Sequence, residues 1–171
     1  MFARIIDAII NIIDQFFFLV VVDEFEGGVI LRIGKYQRDL KPGINFYWPL
    51  GIETYMSDNI VLKTEGLNSQ SLTTKCGATV LIGVFISYWI RNKRRWLLEV
   101  EDADSVLADL TYGVIGRQVA KHRWEEIYQQ EFQDKVYDEL KEVASKKLGV
   151  TLDGIQFSDL TKSKTLRIVQ E

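Results

Sequence analysis

Polar residues recur through the first seventeen positions of the chain with the spacing of an α-helix. They are Arg4, Asp7, Asn11, Asp14 and Gln15, and at about 100° per residue they fall within an arc of roughly 100°. Ile, Phe, Met and Ala occupy the other sides. We therefore predict an amphipathic helix that ends at about Phe17, because Phe18 would fall inside the polar arc.

This helix is a poor candidate for a membrane span. Seventeen residues cover roughly 25 Å, less than the hydrocarbon core of about 30 Å, and each aspartate would cost on the order of 3 kcal/mol near the bilayer centre. A helix lying in the interface keeps its polar arc in water. The predicted membrane-binding residues are Phe2, Ile5, Ile6, Ile9, Ile13, Phe16 and Phe17. The alternatives are packing on the protein's own core or on a partner protein, and a cleaved signal peptide.

After this helix, the hydrophobic pattern changes to the period of two that is typical of strands. The predicted strands cover residues 18–23, 29–33, 44–49, 59–65, 67–75 and 78–90. The third is expected at a sheet edge, because Pro49 cannot donate a ladder hydrogen bond. The last is the longest and is largely apolar on both faces, which predicts a central strand covered on both sides.

Helical periodicity follows the long strand. A helix capped by Asp102 or Asp104 is predicted to run to Val119, a short helix covers 124–130, and a third runs from Phe132 until Gly149 ends it. Residues 150–157 return as a strand. Strands first, then helices, with one strand returning, predict an α+β fold.

Composition excludes several classes of function. The chain has 171 residues and a net charge of −3, which suits one domain or two small lobes and gives no reason to expect nucleic acid as a partner. The single cysteine, Cys76, cannot form an internal disulfide or a cysteine zinc cluster, and it fits a reducing compartment. The single histidine, His122, cannot build a metal site or a triad unless subunits share it. No cofactor, metal or catalytic site is therefore expected.

Several segments together resemble a known family. Residues 21–36 (VVDEFEGGVILRIGKY) and 40–46 (LKPGINF) resemble the opening of the SPFH (stomatin, prohibitin, flotillin, HflK/C), or band 7, family. The family pattern is close to acidic-x-G-V-V-L-R-F-G-K-Y, then L-x-P-G-L-H-F. Later matches are SLTTK at 71–75, VEDA at 100–103, VIGR at 114–117 and LGV at 148–150. The resemblance covers roughly residues 20–160, and the start of the chain looks most like bacterial stomatin-type members.

The resemblance implies an α+β SPFH domain of mixed sheet with packed helices over residues 23–160. It also implies two sub-lobes, 23–72 and 73–160, preceded by the membrane helix and lead-in strand of residues 1–22. Residues 161–171 would begin the C-terminal helix that family members usually continue into a coiled coil. Such proteins are not enzymes. They assemble as homo-oligomers that scaffold lipids and proteins on a membrane.

The expected function is therefore a membrane-surface scaffold at the cytoplasmic face, with membrane lipids and other copies of the chain as its partners. The alternative is a small regulator that binds a membrane protease or channel through its N-terminal helix, since several family members bind and regulate such proteins. A hydrolase is not expected, because the sequence offers no set of nucleophile, base and orienting residue.

Two further segments are candidates for membrane contact. Tyr47 and Trp48 could form an interfacial aromatic belt within a shallow contact at residues 44–50, the loop that tends to face the membrane in SPFH-like domains; the alternative is ordinary core packing. A basic run follows the long strand and consists of Arg91, Lys93, Arg94 and Arg95. It could contact anionic headgroups, at about 1 kcal/mol per cation, or residues 99–102 of a neighbouring subunit. The alternative is a solvated loop.

Overall fold

The computed structural model describes residues 18–48 and 50–163. The predicted helix over residues 1–17, with its seven membrane-binding residues, lies outside the described residues. The chain forms two compact units, and we describe each by itself. The described part of the first comprises residues 18–48, 50–61 and 92–99, and that of the second comprises 62–91 and 100–163. The division falls after residue 61 rather than near residue 72, and segment 92–99 belongs to the first unit.

The first unit consists mainly of strands in two antiparallel sheets. They are β1 (Phe18–Val22), which pairs with β4 (Gly43–Tyr47), and β2 (Glu26–Arg32), which lies between β3 (Lys35–Leu40) and β5 (Glu53–Asn59). A π-helical turn follows at Arg95–Glu99. Val22, Ile30 and Leu40 are buried together and form a small core. Val20 and Tyr47 are partly buried against this core, so one face of the β1–β4 ribbon packs on it.

The second unit combines one antiparallel sheet with helices. Its strands are β6 (Lys63–Thr73), β7 (Thr79–Ile90) and β8 (Val150–Ser163), with β7 in the middle, and its helices are α1 (Ala103–Lys121), α2 (Trp124–Ile127) and α3 (Gln130–Leu148). Helix α1 packs on α3 and β6, and α3 packs on β8. The core lies between the sheet and the helices, where residues such as Ile82, Ile86, Leu107 and Leu140 are fully buried.

The helix ends follow the sequence signals. The side chain of Asp102 accepts a hydrogen bond from the backbone N–H of Ser105, 3.4 Å away, and so caps the start of α1. Gly149 takes the left-handed conformation, φ 69°, directly after α3. Both predicted caps are confirmed, as is the α+β class. Where one mixed sheet was predicted, the strand pairs of the described residues form three antiparallel sheets.

The long strand is central, as predicted, but the prediction that both its faces are covered is wrong for the described residues. Val80, Ile82 and Ile86 are buried on one face, whereas Leu81 is 38% exposed and Phe85 is 46% exposed on the other. The helices that could cover the sheet, α1 and α3, pack on a single side of it. An apolar pattern on both faces therefore did not indicate burial on both faces.

The strand predicted over residues 59–65 is also wrong. β5 ends at Asn59 and β6 begins at Lys63. Between them, the Ile60 N–H donates to the carbonyl of Phe25 at 2.9 Å. The alternating hydrophobic pattern of residues 59–65 therefore covers the end of one strand, the connection between the two units and the start of the next strand. Gly27 and Gly28, which lie outside the predicted strands, belong to β2. There, a Cβ on Gly28 would come within 2.1 Å of the Met56 carbonyl oxygen, so glycine permits the close approach of β5.

Candidate functional site

The β1–β4 ribbon presents an apolar face to solvent. Leu19 lies opposite Phe46 and Val21 lies opposite Ile44, and these four side chains are between 47% and 64% exposed. Successive residues of a strand point to opposite faces. Because Val20, Val22 and Tyr47 on the other face pack in the core, these four side chains must point outward. We call them the ribbon face.

Two loops of the same unit carry further exposed apolar side chains. Ile33, after β2, is 79% exposed, and Leu50, after β4, is 84% exposed. The Ile33 N–H donates to the carbonyl of Ile52 at 2.8 Å, which joins the two loops. Trp48, 58% exposed, lies between the ribbon and Leu50 along the chain. We call Ile33, Trp48 and Leu50 the loop tips, and the ribbon face and loop tips together the apolar surface.

The backbone at the loop tips is strained. Ile33 has φ 49° and Leu50 has φ 63°. Residues other than glycine, asparagine and aspartate rarely adopt this left-handed region. Such conformations cost of order 1–3 kcal/mol each and cluster at functional sites. Here they leave two aliphatic side chains almost fully in water, which further raises the free energy of the protein in the absence of an apolar partner.

The buried side chain of Glu53 holds the β4–β5 loop in place. Its side chain is fully buried. Oε1 accepts from Arg32 Nε at 3.0 Å and Arg32 Nη2 at 2.8 Å, and Oε2 accepts from the Trp48 N–H at 3.0 Å. Burial raises the pKa of Glu53, but the Trp48 N–H and the guanidinium groups of Arg32 and Arg38 together lower it below its usual value. No sequence signal indicates this role, because a single glutamate outside any predicted strand looks like a surface residue.

Cations lie next to the loop tips. Arg32 and Arg38 both approach Glu53, with Arg38 Nη1 3.8 Å from Oε1, yet their side chains remain 42% and 43% exposed. Arg38 also donates to the carbonyl of Phe46. Two half-exposed guanidinium groups are thus held next to the loop tips. In a bilayer, the phosphate groups lie outside the acyl chains. Guanidinium groups beside apolar side chains could therefore contact phosphates while the apolar side chains contact acyl chains.

The structure separates the two aromatic residues predicted as a belt. Trp48 is exposed, whereas Tyr47 packs against the core and its ring lies 5.7 Å from that of Tyr55. For Tyr47, the structure therefore agrees with the alternative of core packing. Its contact with lipid stays a prediction without structural support, while Trp48 is available for contact.

The cations of the basic run make different contacts within their own units. Arg91 belongs to the second unit and stacks 5.5 Å from the ring of Trp89. In the first unit, Lys93 Nζ donates to the carbonyl of Leu40 at 3.4 Å, Arg94 lies 5.0 Å from the ring of Tyr36, and both Arg94 and Arg95 pair with Glu99. Each of the four cations thus has a partner within its own unit, and contact of the run with headgroups or with a neighbouring subunit stays a prediction.

None of the helices in the described part of the chain has the length and hydropathy of a membrane span. Residues 18–48 and 50–163 also bring together no group of three or more metal-ligating side chains.

The comparison that decides the family covers most of the chain. The model of the SPFH domain / Band 7 family matches residues 20–171. The chain belongs to the SPFH family. Members of this family are generally non-enzymatic, membrane-associated scaffolds.

Individual relatives match parts of the chain. An uncharacterized protein of Methanocaldococcus jannaschii is 29% identical over 92 residues, which is 54% of this chain and 46% of that protein. Protein HflK of Vibrio parahaemolyticus is 31% identical over 90 residues, 53% of this chain and 22% of HflK. An uncharacterized protein of Archaeoglobus fulgidus is 22% identical over 150 residues, 86% of this chain and 59% of that protein. The chain thus spans less than half the length of the first two relatives.

Proposed function

We propose that this SPFH protein is a membrane-surface scaffold that binds the bilayer through the helix over residues 1–17 and the apolar surface of its first unit, and that it assembles laterally into homo-oligomers. The observation that carries the proposal is the ribbon face. It consists of apolar side chains left in water, and β1 follows directly on the predicted membrane helix. Contiguous exposed apolar surface marks an interaction site.

The magnitude of the interaction suits a shallow contact. A fully buried Val, Leu, Ile or Phe side chain contributes roughly 1.5–3 kcal/mol relative to an exposed one. Partial insertion of the seven side chains of the apolar surface would contribute several kcal/mol, which gives reversible binding by one subunit. Lateral assembly would convert this binding into stable attachment through avidity. We place the protein on the cytoplasmic face, where the free thiol of Cys76 suits the reducing conditions.

Liposome flotation with matched variants tests the proposal. Ile44→Ser/Phe46→Ser removes one aliphatic and one aromatic side chain from the ribbon face. Leu81→Ser/Phe85→Ser removes the same kinds of side chain from the exposed face of β7 in the second unit. We expect the first pair to lower the partition coefficient about tenfold and the second pair to leave it unchanged. Equal flotation of both variants would refute the role of the ribbon face, and unchanged flotation after deletion of residues 1–17 would refute the helical anchor.

A second candidate function is regulation of a membrane protease or channel, with the N-terminal helix docked in a groove of the partner. The likeness to HflK supports it, because several SPFH proteins bind and regulate membrane proteases or channels. Purification in detergent distinguishes the two functions. A stoichiometric protease or channel subunit would favour regulation, whereas self-association alone would favour the scaffold.

A further inference from the structure

A basic cleft lies in the second unit, where the β6–β7 turn, the end of α1 and the start of α3 come together. Its volume is about 430 Å³. Lys75 from the turn, Lys121 from α1, Arg123 from the α1–α2 connection and Lys135 from α3 line it around His122. The four cations come from three separate segments of the chain, around residues 75, 121–123 and 135, so they surround one volume and do not form a stripe along a helix.

Hydrogen bonds fix the base of the cleft. The Lys75 N–H donates to the carbonyl of His122 at 3.0 Å, which ties the turn to the end of α1. His122 Nδ1 lies 2.7 Å from the carbonyl of Gln118, and Nε2 lies 3.2 Å from Lys135 Nζ. A neutral imidazole that donates from Nδ1 and accepts at Nε2 satisfies both bonds. The ring also meets the buried ring of Phe132 edge-on at 5.4 Å, so the histidine is held from three sides.

Some cations in the described part of the chain pair with a carboxylate, among them Arg32, Lys63 and Arg117. Within residues 18–48 and 50–163, the four cleft cations form no salt bridge. Gathering four like charges around one volume is unfavourable, and a bound anion would relieve it.

Two carboxylates, Glu126 and Glu131, also line the cleft. Oε2 of Glu126 accepts a hydrogen bond from the backbone N–H of Arg123 at 2.7 Å, and that hydrogen bond, with the charges of Arg123 and Lys75, lowers the pKa of Glu126. Four cations against two carboxylates leave an excess of two positive charges when His122 is neutral. The site is therefore matched to one compact dianion and not to a polyanion.

We propose that this cleft binds a phosphomonoester dianion. A phosphomonoester carries a charge of about −1.5 to −2 at pH 7 and three strong acceptor oxygens. Lysines bind phosphate as point charges, and arginine can bind it in bidentate fashion. The concave shape and volume fall within the range of small-molecule sites. The group could belong to a soluble metabolite or to a lipid headgroup, since both present the same oxygens.

The single histidine of the chain makes the site directly observable. His122 gives the only histidine Cε1–H resonance in a proton NMR spectrum of the full chain, here held in nonionic detergent micelles. Glycerol 3-phosphate is the soluble probe, with sodium chloride at equal ionic strength as its control. Micelles doped with phosphatidic acid, or with phosphatidylglycerol at equal charge, form the lipid arm. We expect a saturable shift with a phosphomonoester in at least one arm, and none with chloride or phosphatidylglycerol.

Matched variants separate site binding from general charge. Lys121→Ala/Lys135→Ala removes two exposed cations of the cleft, and Lys147→Ala/Lys162→Ala removes two exposed cations outside it. We expect about tenfold weaker binding for the first variant and unchanged binding for the second. Saturation by glycerol 3-phosphate would assign a soluble ligand, and saturation by phosphatidic acid alone would assign a headgroup. Shifts that match those with chloride, equal affinity in both variants, or saturation by a polyglutamate peptide but by neither phosphomonoester would overturn the proposal.

Discussion

Glu53 shows how one buried side chain can support an exposed surface. One carboxylate oxygen accepts from Arg32 and the other from the backbone of Trp48, while the Glu53 N–H donates to the Trp48 carbonyl at 3.3 Å. The loop that carries Trp48 and Leu50 is thus closed by two hydrogen bonds between Trp48 and Glu53, and Arg32 holds the Glu53 carboxylate in place. Breaking a buried pair leaves an uncompensated group behind, so the loop should depend strongly on Glu53.

The substitution Glu53→Gln tests this dependence. The amide oxygen can still accept from Trp48, but the guanidinium of Arg32 loses its charged partner. We expect the free energy of unfolding to fall by about 1–3 kcal/mol, measured by urea denaturation.

Two controls define the effect of Glu53. Glu99→Gln removes a half-exposed carboxylate that pairs with Arg94 and Arg95, and it should cost no more than about 1 kcal/mol. Because the pKa of Glu53 is lowered on folding, its stabilisation is present above the unfolded value of about 4.3. It is lost as the pH falls through the folded value. The difference between wild type and Glu53→Gln should therefore shrink below about pH 4; a constant difference would contradict the charged role.

The elements differ in how far the sequence determines them. The long apolar strand and both long helices follow from periodicity, and Gly149 ends α3 as predicted. β5 (Glu53–Asn59) was missed because its sequence, ETYMSDN, is polar and does not alternate. Pairing with β2, which is distant in sequence, makes it a strand. The ribbon shows a different limit. Both of its faces are apolar, so the pattern could not say whether Tyr47 or Trp48 would face the solvent.

The dependence of β5 on β2 can be tested at Gly28. A Cβ at this position would meet the Met56 carbonyl oxygen at 2.1 Å, so Gly28→Ala must push the two strands apart. We expect a loss of about 2–4 kcal/mol in the free energy of unfolding, measured by urea denaturation. Gly154→Ala is the matched control, since a Cβ on this β8 glycine has no heavy atom within 4 Å. Equal losses in both variants would show that strand propensity, and not the contact, sets the effect.

At the scale of the whole molecule, the two units carry different chemistry. The first exposes aliphatic and aromatic side chains with guanidinium groups beside them, and the second exposes a basic cleft and an open sheet face. The sequence resemblance predicted the family and the α+β class, because its motifs depend on local spacing. It could not predict the cleft, because Lys75, the segment 121–123 and Lys135 are far apart in sequence and meet only through tertiary packing. In the basic run, cations close together in sequence make different contacts: Arg91 stacks on Trp89, whereas Arg94 and Arg95 pair with Glu99.

The most direct test of membrane contact is the depth of Leu50 on vesicles. With Cys76→Ser, the chain has no native thiol, so a nitroxide on Leu50→Cys is the only spin label. Lys147→Cys, exposed on α3 of the second unit, is the control site. We predict that vesicles reduce collisions of the residue 50 label with a water-soluble nickel complex and increase its collisions with oxygen, while the residue 147 label is unchanged. A residue 50 label that stays as accessible to nickel on vesicle-bound protein as in solution would contradict the account.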